Sequence, residues 1–249
     1  MLAHEYQTMR TVEDTYWWYS TLRSMVVREA RSRLTSDTAR LLDAGCGTGG
    51  MMARLREANS QWKIAGLDLS PDAVQITRER GFEDVTSGSV SELPFNNGSF
   101  DGLISLDVLY HDGVDQEKAL AEFARVLKPG GFFVLNLPAF KALAGSHDIA
   151  VKGVRRYTTS DVRELLSATG FRVQTLQYWN AWLFLPILAW RTISRSFHSK
   201  DSEEAKSDLS TLPGVVNGTL AAVSGIDARI CRMTHWPFGT SVFAVAVKS

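Results

Sequence analysis

Ala39-Arg40-Leu41-Leu42-Asp43-Ala44-Gly45-Cys46-Gly47-Thr48-Gly49-Gly50 runs from an apolar segment through an acid into a glycine-rich turn. Such a stretch reads as a strand feeding a ligand-binding loop, because glycine removes Cβ where the backbone turns sharply and lies close to a bound molecule. The helix expected over residues 51–57 then points its N-terminal amides at that ligand. Gly45, Gly47 and Gly50 satisfy G-x-G-x-x-G, and Asp68 follows at a distance suited to a ribose, so a dinucleotide-dependent oxidoreductase using NAD(P) is one reading. Asp43 favours another ligand: an ammonium group wants an anion beside it, whereas a pyrophosphate does not.

The chain of 249 residues suits one domain with an elaboration and can bury a substantial core. Lys plus Arg and Asp plus Glu balance at 27 each, so no whole-molecule field draws it to nucleic acid or anionic lipid unless a local patch overrides the balance. The expected partner is therefore a small molecule rather than a nucleic acid. Cys46 and Cys231 form neither a metal spacing nor a disulfide framework, which fits a reducing, cytoplasmic setting. The first six residues lack the basic-then-apolar layout of a signal peptide. Residues 179–190, the longest apolar run, are too few to span a bilayer.

Downstream of the loop, strands and helices alternate. Residues 62–68 read as a second strand ending in Asp68, and Ser70-Pro71-Asp72 supplies an N-cap with a first-turn proline. Residues 84–90 and 102–106 read as a third and a fourth strand. Residues 116–127 form an amphipathic helix with Ala119, Leu120, Phe123, Val126 and Leu127 on one stripe, and a fifth strand follows over 132–137. Thr158 and Asp161 open a helix by a capping box, Gly170 closes it, and residues 171–178 and 241–247 alternate as the last two strands. This is an α/β pattern.

Asp43-Ala44-Gly45-Cys46-Gly47-Thr48-Gly49 resembles the acidic-x-G-x-G-x-G first motif of class I S-adenosylmethionine-dependent methyltransferases. Leu93-Pro94-Phe95 with Phe100-Asp101, and Arg125 through Gly131, resemble two further hallmarks of that family. Tyr16-Trp17-Trp18-Tyr19 with Arg23 is similar to the opening of a bacterial subgroup, whose insert ends in Pro-Phe-Gly-x-Ser as Pro237 to Ser241 does. These motifs cover residues 39–138 in the family's order, which decides against the oxidoreductase.

The resemblance implies a Rossmann-like seven-stranded methyltransferase sheet with its last strand antiparallel. A helical cap would occupy residues 1–38, the cofactor core 39–178, a helical insert 179–240 and the final strand 241–249. It implies S-adenosylmethionine as cofactor and S-adenosylhomocysteine as product. Trp18 would line the cofactor pocket and Arg23 would face the methionine carboxylate. Asp43, Gly45, Cys46 and Gly47 would form the loop contacts, and Asp68 with Leu69 the ribose contact. Ser89 stands where the family has an aspartate on the adenine amine, so its hydroxyl and the Val90 N–H would read the adenine edge. Leu106 and Asp107 would flank the sulfonium. No metal-ligand cluster demands Mg2+ or Zn2+, and no metal is expected.

The acceptor side rests on the loops that leave the strand C-termini. His147, beside Asp148, is the first candidate general base and His111 the second. Arg155 and Arg156 either clamp an acceptor carboxylate or phosphate, cap a helix, or pair with Asp161 and Glu164. Tyr19, Tyr110 and Tyr157 complete the expected acceptor contacts. The insert begins with an aromatic part and continues through a polar stretch, residues 199–210, to an amphipathic segment, 215–233. It reads as a lid over a hydrophobic acceptor, or as a dimer or peripheral membrane surface. The expected reaction is methyl transfer to a small molecule, to oxygen ahead of nitrogen or carbon. A cofactor-binding module acting through the aromatic insert is the non-catalytic alternative.

Overall fold

The computed structural model describes residues 3–197 and 212–249, so the polar stretch 199–210 lies outside the described residues. Seven strands form one sheet: β1 (Arg40–Ala44), β2 (Lys63–Asp68), β3 (Val85–Ser87), β4 (Phe100–Leu106), β5 (Leu127–Pro138), β6 (Phe171–Trp179) and β7 (Ser241–Lys248). Their spatial order is β3-β2-β1-β4-β5-β7-β6, parallel except that β7 runs antiparallel to both neighbours. The order reverses between β1 and β4. Open α/β sheets bind ligands at that switch point, outside the strand C-termini.

The helices are α1 (Ala3–Val12), α2 (Trp17–Arg33), α3 (Gly50–Ala58), α4 (Pro71–Glu79), α5 (Gln116–Val126), α6 (Ser146–Ala150), α7 (Thr159–Ala168), α8 (Ala181–Phe197) and α9 (Gly214–Thr234). Two apolar layers cover the sheet. One packs Leu120 and Phe123 of α5 and Leu166 of α7 against Phe133 and Phe171. The other packs Val26 of α2, Met52 and Leu55 of α3 and Ala228 of α9 against Ile104, Val134 and Trp179. The insert is thus not wholly a lid, since α9 lies on the sheet face beside α2 and β6.

Local signals set most boundaries. The Ser70 side chain accepts from the Ala73 N–H with Pro71 at the start of α4, and Thr158 and Asp161 close a reciprocal capping box on α7. Where the expectation and the structure differ, the missing partner is remote in sequence. The helix that the sequence places over residues 22–34 begins at Trp17, in the middle of the aromatic cluster, because its Trp17 N–H is capped at 2.8 Å by Asn217 Oδ1 of α9, two hundred residues away. β3 ends at Ser87 rather than at residue 90, which leaves Ser89 and Val90 in a turn facing the ligand edge. β5 begins at Leu127, which pairs with Phe100 ahead of a register shift that absorbs the Lys128–Gly131 turn.

Candidate active site

A cavity of about 610 Å³ opens at the C-terminal ends of β1, β2 and β4, walled by residues of α1, α2 and α8. Asp43, Gly45, Cys46, Gly47, Asp68, Leu69, Ser89, Val90, Leu106 and Asp107 all line it, as do Trp18, Tyr19, Arg23, Tyr110, His111 and Arg156. Arg155 and Tyr157 do not. Arg155 turns to the Val114 carbonyl at 3.2 Å, and the Tyr157 hydroxyl is held by Gln116 and donates to the Leu109 carbonyl within the core. His147 falls in α6, and its side chain lies outside the described residues.

At the cofactor end, the Asp68 carboxylate accepts from the Gly47 N–H at 2.8 Å and the Ser70 N–H at 3.0 Å. Its Oδ1 also accepts from the Tyr6 hydroxyl of α1 at 3.3 Å, where a ribose hydroxyl would donate. Asp43 is buried, its Oδ2 has no partner among the described residues, and burial raises its carboxyl to about 7 against the pull of Arg23. An unpaired buried carboxylate oxygen is the feature a ligand ammonium would satisfy. Gly45 sits at φ +91°, and a Cβ there would overlap Val108 Cγ2 on the loop after β4. A cofactor carrying an ammonium, a ribose and an adenine therefore fits the residues present. Gly45→Ala is expected to cost about 1–3 kcal/mol from overpacking and left-handed strain, checked by thermal denaturation.

Arg23 meets a partner the sequence did not predict. Its Nη2 pairs with the Glu13 carboxylate and its Nη1 donates to the Glu13 carbonyl at 2.8 Å. Arg80 pairs with the same carboxylate and the Thr48 hydroxyl of the glycine loop donates to it. Glu13 is 3% exposed and forms a hub that ties the segment after α1 to α2, α4 and the loop. Removing one partner of a buried ion pair strands the other charge, so Glu13→Ala should destabilise the fold by about 3–5 kcal/mol in urea denaturation. Glu13 has no local signature in the sequence. Its partners are long-range.

At the opposite end, Asp107 leaves β4 with φ +54°, a left-handed conformation unusual for a residue with a side chain. Asn136 Nδ2 donates to Asp107 Oδ1 and Oδ2 at 3.1 and 3.0 Å, and Asn136 Oδ1 accepts from Trp179 Nε1 at 2.9 Å. Asn136 and Trp179 are fully buried, and Trp18 stacks on Trp179 with centroids 5.6 Å apart. The carboxyl of Asp107 is raised to about 7 by burial, opposed by the Asn136 hydrogen bonds and the Arg156 charge. A buried asparagine inside the apolar run of β5 is a signal that close reading of the sequence would have found.

The other expected groups are less available. Burial lowers the His111 imidazole to about 4, so it is neutral near pH 7. Burial also holds the Tyr19 and Tyr110 phenols above their ordinary value. Arg156 is bidentate on Asp148, at 3.0 Å to each oxygen, and also donates to the Ala139 carbonyl, so its charge is already answered. Its partner is Asp148 rather than Asp161 or Glu164. Asn180, for which the sequence holds no local signal, lines the cavity with its buried amide unpartnered at both ends among the described residues.

Comparison with known proteins agrees with this geometry. Residues 42–135 match the methyltransferase domain family. The chain is 31% identical over 163 residues to the O-methyltransferase resE of Aspergillus sclerotiorum, covering 59% of this chain and 61% of that one. It is 30% identical over 163 residues to the O-methyltransferase rstn1 of Aspergillus nomiae, covering 59% and 71%. Other matching relatives are named for tRNA and for a sterol. The crystal structure of the [4+2]-cyclase SpnF superposes with a TM-score of 0.60 at 23% identity, over 92% of this chain and 80% of that one. That likeness establishes the fold and leaves the reaction to the site. With the acidic glycine loop, the acid at the end of β2 and the sheet order all in place, the chain belongs to the class I S-adenosylmethionine-dependent methyltransferases.

Proposed function

We propose that the protein transfers a methyl group from S-adenosylmethionine to a hydroxyl oxygen of a small, largely apolar acceptor. One observation supports this reading most: Asp107, a carboxylate near pKa 7 pinned by Asn136, faces the cavity at the end of β4. When bound, the cofactor supplies an already activated methyl on a sulfonium, so the protein's share is alignment and proton removal. A hydroxyl must lose its proton as it attacks, and a base whose pKa lies near the working pH serves best. Asp107 meets that condition better than His111, the second candidate, whose imidazole is a weak base. Asn136 acts as its positioning residue.

Three further features support the acceptor class. Trp18, Tyr19, Tyr110, Leu183 and Ile187 give the cavity an aromatic and aliphatic wall. Asn180 is left to read one polar group of the acceptor. Arg156 is neutralised by Asp148, which favours a hydroxyl over a carboxylate or phosphate. The test is a panel of apolar alcohols, phenols, carboxylic acids and amines incubated with S-adenosylmethionine, with S-adenosylhomocysteine measured by mass spectrometry. Turnover of alcohols or phenols that rises with pH to a plateau above about 7 is expected. Turnover of amines alone would overturn the reading.

A further inference from the structure

We infer that the outer faces of α8 and α9 dock the protein on an anionic lipid bilayer. α9 is 21 residues long. Its outward face carries Val215, Val216, Val223, Ile226, Ile230 and Met233, with Val215 and Met233 exposed by 84% and 80%. These positions recur at helical spacing from the first turn to the last, so the exposed stripe runs about 30 Å. α8 adds Leu185, Trp190 and Ile193, and Trp236 lies just beyond α9, all exposed. A continuous apolar helix face of that length is covered by something in use.

The charges select the occupant. α2 and α9 carry Arg28, Arg31, Arg33, Arg229 and Arg232 against two acids, while Arg23 is buried on Glu13 and Arg191 lines the cavity; the chain as a whole balances at 27 charges of each sign. Both acids turn inward. Glu29 is 1% exposed and bound by Arg33 and Arg232, and Asp227 accepts from the Trp182 N–H at 3.3 Å. Arg31 and Arg229 remain exposed. A second copy on a twofold axis would set arginine against arginine, whereas anionic headgroups answer them. Exposed tryptophans suit the headgroup level. No described helix is long and apolar enough to cross a membrane, so the pair lies in the interface plane.

The placement also bears on the acceptor, a point that rests on the proposed function while the docking itself does not. Leu183 and Ile187 of α8 line the cavity while Leu185 and Trp190 of the same helix face out. An acceptor dissolved in the bilayer would meet the cavity across one helix.

The test is flotation of the full chain with vesicles of phosphatidylcholine alone or mixed equally with phosphatidylglycerol. Wild type should float with the mixed vesicles at least about tenfold better than with the neutral ones, and Ile226→Glu and Arg229→Glu should each lose about tenfold. S-adenosylhomocysteine titration checks that each variant is folded, and Val215→Glu, at the most exposed position, repeats the test if one is not. No flotation with mixed vesicles, equal flotation with neutral ones, or variants that float like wild type would overturn the proposal. So would a wild-type dimer in light scattering that Ile226→Glu makes monomeric, since the face would then belong to a second copy.

Discussion

Asp68→Ala is expected to weaken S-adenosylhomocysteine binding by about 100-fold or more, measured by calorimetric titration. Hydrogen bonds to a charged acceptor contribute about 1.5–3 kcal/mol each, and a carboxylate can take both hydroxyls of one ribose. Two such bonds lost together correspond to two to four powers of ten in affinity by the usual conversion of about 1.4 kcal/mol per decade. The same carboxylate fixes the loop by accepting from the Gly47 and Ser70 N–H groups. Its loss therefore also loosens the turn that approaches the ligand. Asp68→Asn retains one acceptor oxygen and should fall between wild type and the alanine variant. Tyr6→Phe makes a useful contrast. Its hydroxyl meets Asp68 from α1 at 3.3 Å, and removing it should leave binding intact or slightly tighter, because no ligand group then has to displace it.

Asp107→Asn is expected to lower kcat by about 10²–10⁴-fold, the usual share of a positioned base, with cofactor affinity changed only a few-fold. The two asparagines would still meet at hydrogen-bonding distance, so the loss would report proton removal rather than collapse of the site. The pH profile separates the two. Wild-type kcat should rise with pH until the Asp107 carboxyl is ionised near 7, and the variant should lose that limb. Stability runs in the opposite direction. An aspartate raised from 3.8 to about 7 holds its proton in the folded state after the unfolded chain has released it. The folded state is therefore favoured less as pH rises from about 4 to about 7. Urea denaturation at pH 5 and pH 8 should show that decline in wild type and a shallower one in Asp107→Asn. Asp43, raised to about 7 by burial, keeps its own share of the slope in both.

The parts legible in the sequence were those whose partners lie nearby or whose pattern repeats. The acid before Gly45, the strand ending in Asp68, the Ser70 cap and the Thr158 capping box all declare themselves within a few residues. Alternation in residues 171–178 and 241–247 placed two strands that the fold pairs across the chain's long insert. What escaped depends on contacts between distant segments. The start of α2 is set by Asn217, the charge of Arg23 by Glu13 and that of Arg156 by Asp148. Composition balanced at zero net charge also hid the arginines gathered on α2 and α9, because acids elsewhere offset them. Asp107 follows β4 and lines the cavity. Its candidacy as base rests on the burial that raises its carboxyl and on Asn136, which joins it across the sheet and stands out in the sequence only as a polar residue inside the apolar run of β5.

The measurement that tests the account most directly is titration of the wild-type chain with S-adenosylmethionine, S-adenosylhomocysteine and NADH. The site described here predicts binding of both sulfur ligands and none of the dinucleotide, since Asp43 leaves a carboxylate oxygen for an ammonium where a pyrophosphate would be repelled. Binding of NADH in preference to either sulfur ligand would contradict it, and with it the assignment of the glycine loop on which the remaining site rests.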